Sequence, residues 1–151
     1  MKPLESAQAE LRYWFQTPEF LETSLRHSTS TNEPPHKGLE HNERLAFLGD
    51  AVLGLIVAQM LHERNRTATK GELTTKRQAL VNNENLATIA GSKMNLDVWL
   101  ALGEGEKTNE IGRNKRLATC FEALIGAVFL DGGYHCARRV FQPILEQHIP
   151  T

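Results

Sequence analysis

Three acids lie inside apolar helical runs. Glu43 and Asp50 belong to His41-Asn42-Glu43-Arg44-Leu45-Ala46-Phe47-Leu48-Gly49-Asp50-Ala51-Val52-Leu53, and Glu122 follows Phe121 and precedes Ala123-Leu124-Ile125. Leu45, Leu48, Val52, Leu55 and Ile56 recur at helical spacing and the apolar run continues to Leu61, so the first segment reads as the start of a buried helix. Seven residues separate Glu43 from Asp50, which points them within about 20° of each other, two turns apart. A carboxylate among apolar side chains is costly unless it is paired or holds a cation. Two acids on one buried helix and one on another suit a hard divalent cation such as Mg²⁺. Such a cation beside a polyanion suits phosphodiester hydrolysis, where it activates water and steadies the leaving oxygen. The competing reading is structural: Glu43 caps its helix or joins a surface ion pair.

The helices that must position these acids follow from the same periodicity. Residues 4–16 form an amphipathic helix with Leu4, Ala7, Leu11, Trp14 and Phe15 on one face, and Pro18 interrupts it. Residues 18–27 form a short helix with Phe20, Leu21 and Leu25 inward. A polar loop rich in Pro and Gly then runs to Gly38. The central helix spans about 41–64. Thr67-Ala68-Thr69 caps a helix from Lys70 to Val81, followed by a helix over 82–91 and a short helix or turn over 94–102. A mobile polar loop runs from Gly103 through Arg116. A second long apolar helix covers 117–131, Asp131-Gly132-Gly133 stops it, and a last helix covers 134–148. No strand alternation and no repeat is visible, so the fold class is all-α. A length of 151 residues suits one domain.

Composition narrows the function classes. A net charge of −1 gives no global support for nucleic-acid binding, so any such contact needs a local patch. Arg113, Lys115 and Arg116 cluster before the Glu122 helix, and Lys70, Lys76 and Arg77 cluster on another helix; either set suits phosphate contact. Two cysteines, Cys120 and Cys136, have neither metal spacing nor a disulfide framework, which suits a reduced, cytoplasmic chain. The six histidines include no His-x-x-x-His pair, which argues against zinc. Trp14 and Trp99 read as core residues. The longest apolar stretch, Ala51 to Leu61, is too short to span a bilayer, and Met1-Lys2-Pro3-Leu4-Glu5-Ser6 lacks the apolar core expected of a signal peptide.

Taken together these blocks resemble the ribonuclease III family of double-strand-specific endoribonucleases. Asn42-Glu43-Arg44-Leu45-Ala46-Phe47-Leu48-Gly49-Asp50-Ala51-Val52-Leu53 is similar to its signature. Leu25-Arg26-His27-Ser28 with Asn32-Glu33, Leu80 to Ala87, Leu102 to Glu106, and Glu122 to Asp131 are family-like blocks in the right order. The resemblance covers about residues 10–148. It implies an all-α nuclease domain that forms a homodimer, a double-stranded RNA substrate held in a valley, and a Mg²⁺ or Mn²⁺ cofactor. It also implies a dimer contact by Phe47. The separate double-stranded-RNA-binding domain of many members is not expected within this chain.

The resemblance further implies a metal site of four carboxylates, at positions occupied here by Ala46, Asp50, Thr119 and Glu122. Ala46 has no ligand atom and Thr119 offers a neutral hydroxyl. Glu43 matches a further acid near the site, and the resemblance places Lys70 at the edge of the RNA valley, where many members carry another acid. Losing one fixed group of this kind commonly costs about 3–4 kcal/mol of transition-state stabilisation. The expectation is therefore a ribonuclease III-like protein acting on structured RNA with impaired or lost catalysis. The alternatives are an active endoribonuclease using Asp50, Glu122 and Glu43, a heterodimer with a fuller partner, and a helical nucleotide hydrolase of another family.

Overall fold

The computed structural model describes residues 3–149. Six α-helices carry the domain: α1 (Pro3–Leu11), α2 (Pro18–Ser24), α3 (Glu43–Arg64), α4 (Lys70–Val81), α5 (Asn83–Thr88) and α6 (Arg113–Glu146). Short 3₁₀ turns cover Ser28–Asn32 and Leu96–Val98, and a π turn covers Ile89–Lys93. Among the described residues the only sheet-like pairing is one parallel bridge between Arg26 and Ala101. The all-α reading holds.

Helices α3 and α6 form the spine. Val52, Leu53, Ile56, Val57 and Met60 of α3 pack with Leu117, Phe121, Leu124, Ile125 and Val128 of α6, all buried. Both helices are long and apolar enough to cross a bilayer by length and composition, α3 more so than its apolar stretch suggested. About half of each apolar window (50% and 56%) is buried inside the fold, as in core helices. Helix α4 starts where expected, with a capping box in which Thr69 accepts from the Glu72 amide and Glu72 accepts from the Thr69 amide. The Gly132-Gly133 stop also appears: Gly133 adopts φ +84°, breaking α6 while the chain continues as helix beyond it.

Four expectations are corrected. Helix α1 ends at Leu11 because Arg12 turns left-handed (φ 54°), so Trp14 leaves the helical face and is 61% exposed. Leu55 lies on the outer side of α3 and is also exposed. The 28–38 loop contains a 3₁₀ turn, which His27 opens by accepting from the Thr29 amide. Finally, the polar loop ends at Gly112, and Arg113, Lys115 and Arg116 form the first turn of α6.

A carboxylate binds the N-terminal segment to the α6 break. Asp131 accepts from the Tyr13 hydroxyl (2.7 Å) and from the backbone amides of Gln16 (2.9 Å) and Thr17 (2.8 Å). Burial pushes the Asp131 carboxyl up, but these hydrogen bonds outweigh it and hold its pKa below the ordinary value.

Candidate functional site

The site is built on the crossing of α3 and α6. A β-carbon placed on Gly49 would collide with the carbonyl of Glu122 and come within 2.9 Å of the Gly126 amide nitrogen. One on Gly126 would collide with the carbonyl of Leu45 and lie 3.2 Å from the Gly49 amide. Two glycines therefore let the backbones touch, and the approach falls on Glu122 and on the residue beside Asp50. The two acids emerge as neighbours. Burial first, and then the charge of Asp50, raises the Glu122 carboxyl to about 7, against 4.5 ordinarily. Asp50 is exposed, while Glu122 is half-buried.

The positions one turn before each acid carry no charge. Ala46 lies one turn before Asp50 and is buried at 6% exposure. Thr119 lies one turn before Glu122 and is half-buried. Among the described residues, no group of three or more His, Cys, Asp or Glu is close enough to hold a metal ion. The donor set is thus two carboxylates with a neutral hydroxyl nearby. It fits a cation that keeps most of its water, since Mg²⁺ is often held by one or two carboxylates. It does not form the four-carboxylate set that the sequence resemblance implies.

Glu43 stands apart from that pair. It is exposed in the first turn of α3, its carboxylate 3.7 Å from His41 Nδ1. Its charge acts on His27, along with those of Glu106, Arg116 and His41. Burial lowers the pKa of His27, and its Nδ1 lies 2.7 Å from the Thr29 hydroxyl.

The cations separate into two kinds. Lys70, Lys76 and Arg77 are exposed on α4, and Lys115 is exposed on α6. Arg113 is tied to Asp97 at 2.5 Å. Arg116 is buried at 5% exposure, donates to the Asn109 carbonyl (2.5 Å) and pairs with Glu106 (3.4 Å). The expectation that Arg116 contacts RNA is therefore corrected, because its guanidinium holds the 103–112 loop onto α6. The spacing of Arg116, Cys120, Ala123 and Ala127 along one buried stripe was the available signal. That loop is also joined to the 3₁₀ turn, with Gly103 N donating to Thr29 Oγ1 (3.0 Å) and Glu104 N to Glu33 Oε1 (2.8 Å).

Phe47 is the third feature. It projects from α3 at 85% exposure, beside a cleft of about 580 Å³ walled by Phe20, Leu45, Leu48 and Leu130. Glu40 and Arg44, 3.3 Å apart, stand at the same cleft.

The fold and this crossing define a class of helical domains built on one glycine-locked, acid-bearing helix pair. Comparison with known proteins narrows it. A ribonuclease-III-like family model matches residues 17–148. Ribonuclease 3 of Oleidesulfovibrio alaskensis is 42% identical over 148 residues, covering 97% of this chain and 63% of the relative. Ribonuclease 3 of Heliobacterium modesticaldum is 48% identical over 121 residues, covering 79% of this chain and 51% of that one. The nuclease domain of ribonuclease III from Campylobacter jejuni superposes with a TM-score of 0.87 at 33% identity, covering 98% of this chain and 99% of its own. The chain belongs to the ribonuclease III family and has the fold of its nuclease domain. It spans a little over half the length of the curated relatives.

Proposed function

We propose that this chain acts on double-stranded or structured RNA in RNA processing, with catalysis impaired or lost. The observation that carries this reading is the α3–α6 crossing. It presents Asp50 and Glu122 together, while the neighbouring helical positions hold Ala46 and Thr119. When bound, Mg²⁺ or Mn²⁺ supplies an activated water and stabilises the leaving oxygen. Asp50 and Glu122 are the residues that would hold it. Burial and the Asp50 charge favour the protonated Glu122 carboxyl, which must lose its proton to become a ligand, and this further weakens the hold. Lys76, Arg77 and Lys115, exposed and without described ion pairs, supply phosphate contacts independent of base identity.

The chain works as a homodimer in this reading. Phe47, 85% exposed, lines an apolar cleft with Phe20, Leu45, Leu48 and Leu130, and this continuous patch provides a receptor for the same residue of a second copy. A flexible region involved in dimer formation is described for the Campylobacter jejuni nuclease domain. The free thiols suit a reducing compartment such as the cytoplasm.

The test is cleavage of long duplex RNA with Mg²⁺ or Mn²⁺ by the wild type, Glu122→Ala and Ala46→Glu/Thr119→Asp. The expected result is weak or no cleavage by the wild type and a gain on restoration. Rapid wild-type cleavage that Glu122→Ala abolishes would show that two carboxylates suffice, and the reading of impairment would fail.

A further inference from the structure

A second cleft lies between α3 and α4, and neither Asp50 nor Glu122 lines it. It has a volume of about 530 Å³, within the range of small-ligand pockets. Ala58 and Leu61 of α3 and Leu73 of α4 form its apolar wall, and His62, Lys70 and Arg77 stand around it. Lys70, Leu73 and Arg77 share one face of α4 through their spacing of three and four residues. The nearby acids are engaged elsewhere. Glu63 binds Arg138 at 2.8 Å, and Glu72 accepts from the Thr69 amide at 2.7 Å. Among the described residues no ion pair includes His62, Lys70 or Arg77.

A bare anion would leave the apolar wall unused, and a neutral apolar ligand would leave the cations uncompensated. We propose that this cleft binds a nucleotide, its base against Ala58, Leu61 and Leu73 and its phosphate on Lys70 and Arg77. Two sources share that chemistry: a free nucleoside phosphate, or an unpaired nucleotide in an RNA duplex. The second source rests on the RNA reading above, while the first does not.

Isothermal titration of the purified chain with ADP, adenosine, inorganic phosphate and octanoate tests the site. ADP should bind at least tenfold more tightly than each of the other three. Lys70→Glu/Arg77→Glu should weaken ADP at least tenfold with an unchanged Tm. Inorganic phosphate or octanoate binding as well as ADP, no ADP binding at millimolar concentration, or an unaffected double variant would each overturn the proposal. Anisotropy with duplex RNA, with and without one unpaired adenosine, separates the sources. A preference for the unpaired nucleotide that Leu73→Ala removes, with affinity for the plain duplex unchanged, assigns the RNA source. ADP binding without such a preference assigns the free nucleotide, and stands even if the chain binds no RNA.

Discussion

Gly49 packs directly on the backbone carbonyl of Glu122, leaving no room for a β-carbon between α3 and α6. The obstructing atoms are backbone, so neither helix relieves the contact by a rotamer change. Gly49→Ala should force the helices apart and destabilise the domain by about 3 kcal/mol, near the upper end for overpacked cores. Urea denaturation monitored by circular dichroism measures it. An unfolding midpoint equal to the wild type would contradict the crossing.

The Asp50–Glu122 pair makes stability of the metal-free protein depend on pH. The pKa of Glu122 is raised on folding, from 4.5 to about 7. Its contribution is therefore fully present below about pH 4.5 and is lost as pH rises through about 7. Glu122→Gln removes this titration. In EDTA the variant should gain stability relative to the wild type between pH 5 and pH 8, as read from paired Tm measurements. A difference independent of pH would show that Glu122 is not perturbed by burial and Asp50.

Two cations of the same helical turn should behave differently. Removing buried Arg116 strands Glu106 and frees the Asn109 carbonyl, so Arg116→Ala should cost about 3 kcal/mol of folding stability. Lys115→Glu should leave Tm within about a degree and weaken duplex RNA binding, with a shallower salt dependence. Thermal melts and filter binding distinguish the two outcomes. A stable Arg116→Ala protein with reduced RNA affinity would return Arg116 to the surface role.

Phe47 is mostly exposed in the protomer, so its loss should spare the fold and affect only association. Phe47→Asp should convert dimers to monomers in sedimentation velocity at micromolar concentration, with the helical circular dichroism spectrum retained. Persistence of the dimer would place the interface elsewhere.

Asp131 contributes the acid limb of stability. Its pKa is depressed, so its three hydrogen bonds contribute fully above its ordinary pKa and are lost as pH falls through the lower folded value. Asp131→Asn should destabilise by about 1–3 kcal/mol at pH 7. Its stability should also fall less steeply than that of the wild type under strong acid. Parallel acid-titration curves would show that the carboxylate charge is not what holds residues 13–17.

Much of the architecture was determined locally, and so was legible in the sequence. Helix α4 begins at Lys70 because Thr69 and Glu72 cap it reciprocally, and that exchange needs only residues three apart. The long helix breaks at Gly133 because glycine takes positive φ at little cost, and α3 spans the length that its apolar periodicity marks. That positions 46 and 119 hold alanine and threonine rather than acids is likewise plain from residue identity. Tertiary structure decided what depends on where another element lies. Periodicity identifies an apolar face but not its cover, so Leu55 and Trp14 proved exposed although their spacing matched buried neighbours. Charge and local polarity read Arg113, Lys115 and Arg116 as one surface cluster, yet Glu106 and Asn109 fold back over only the last of them. The neighbour relation of Asp50 and Glu122 also required the fold. Their separation in sequence is set aside by two glycines, whose missing side chains let α3 and α6 meet at those residues.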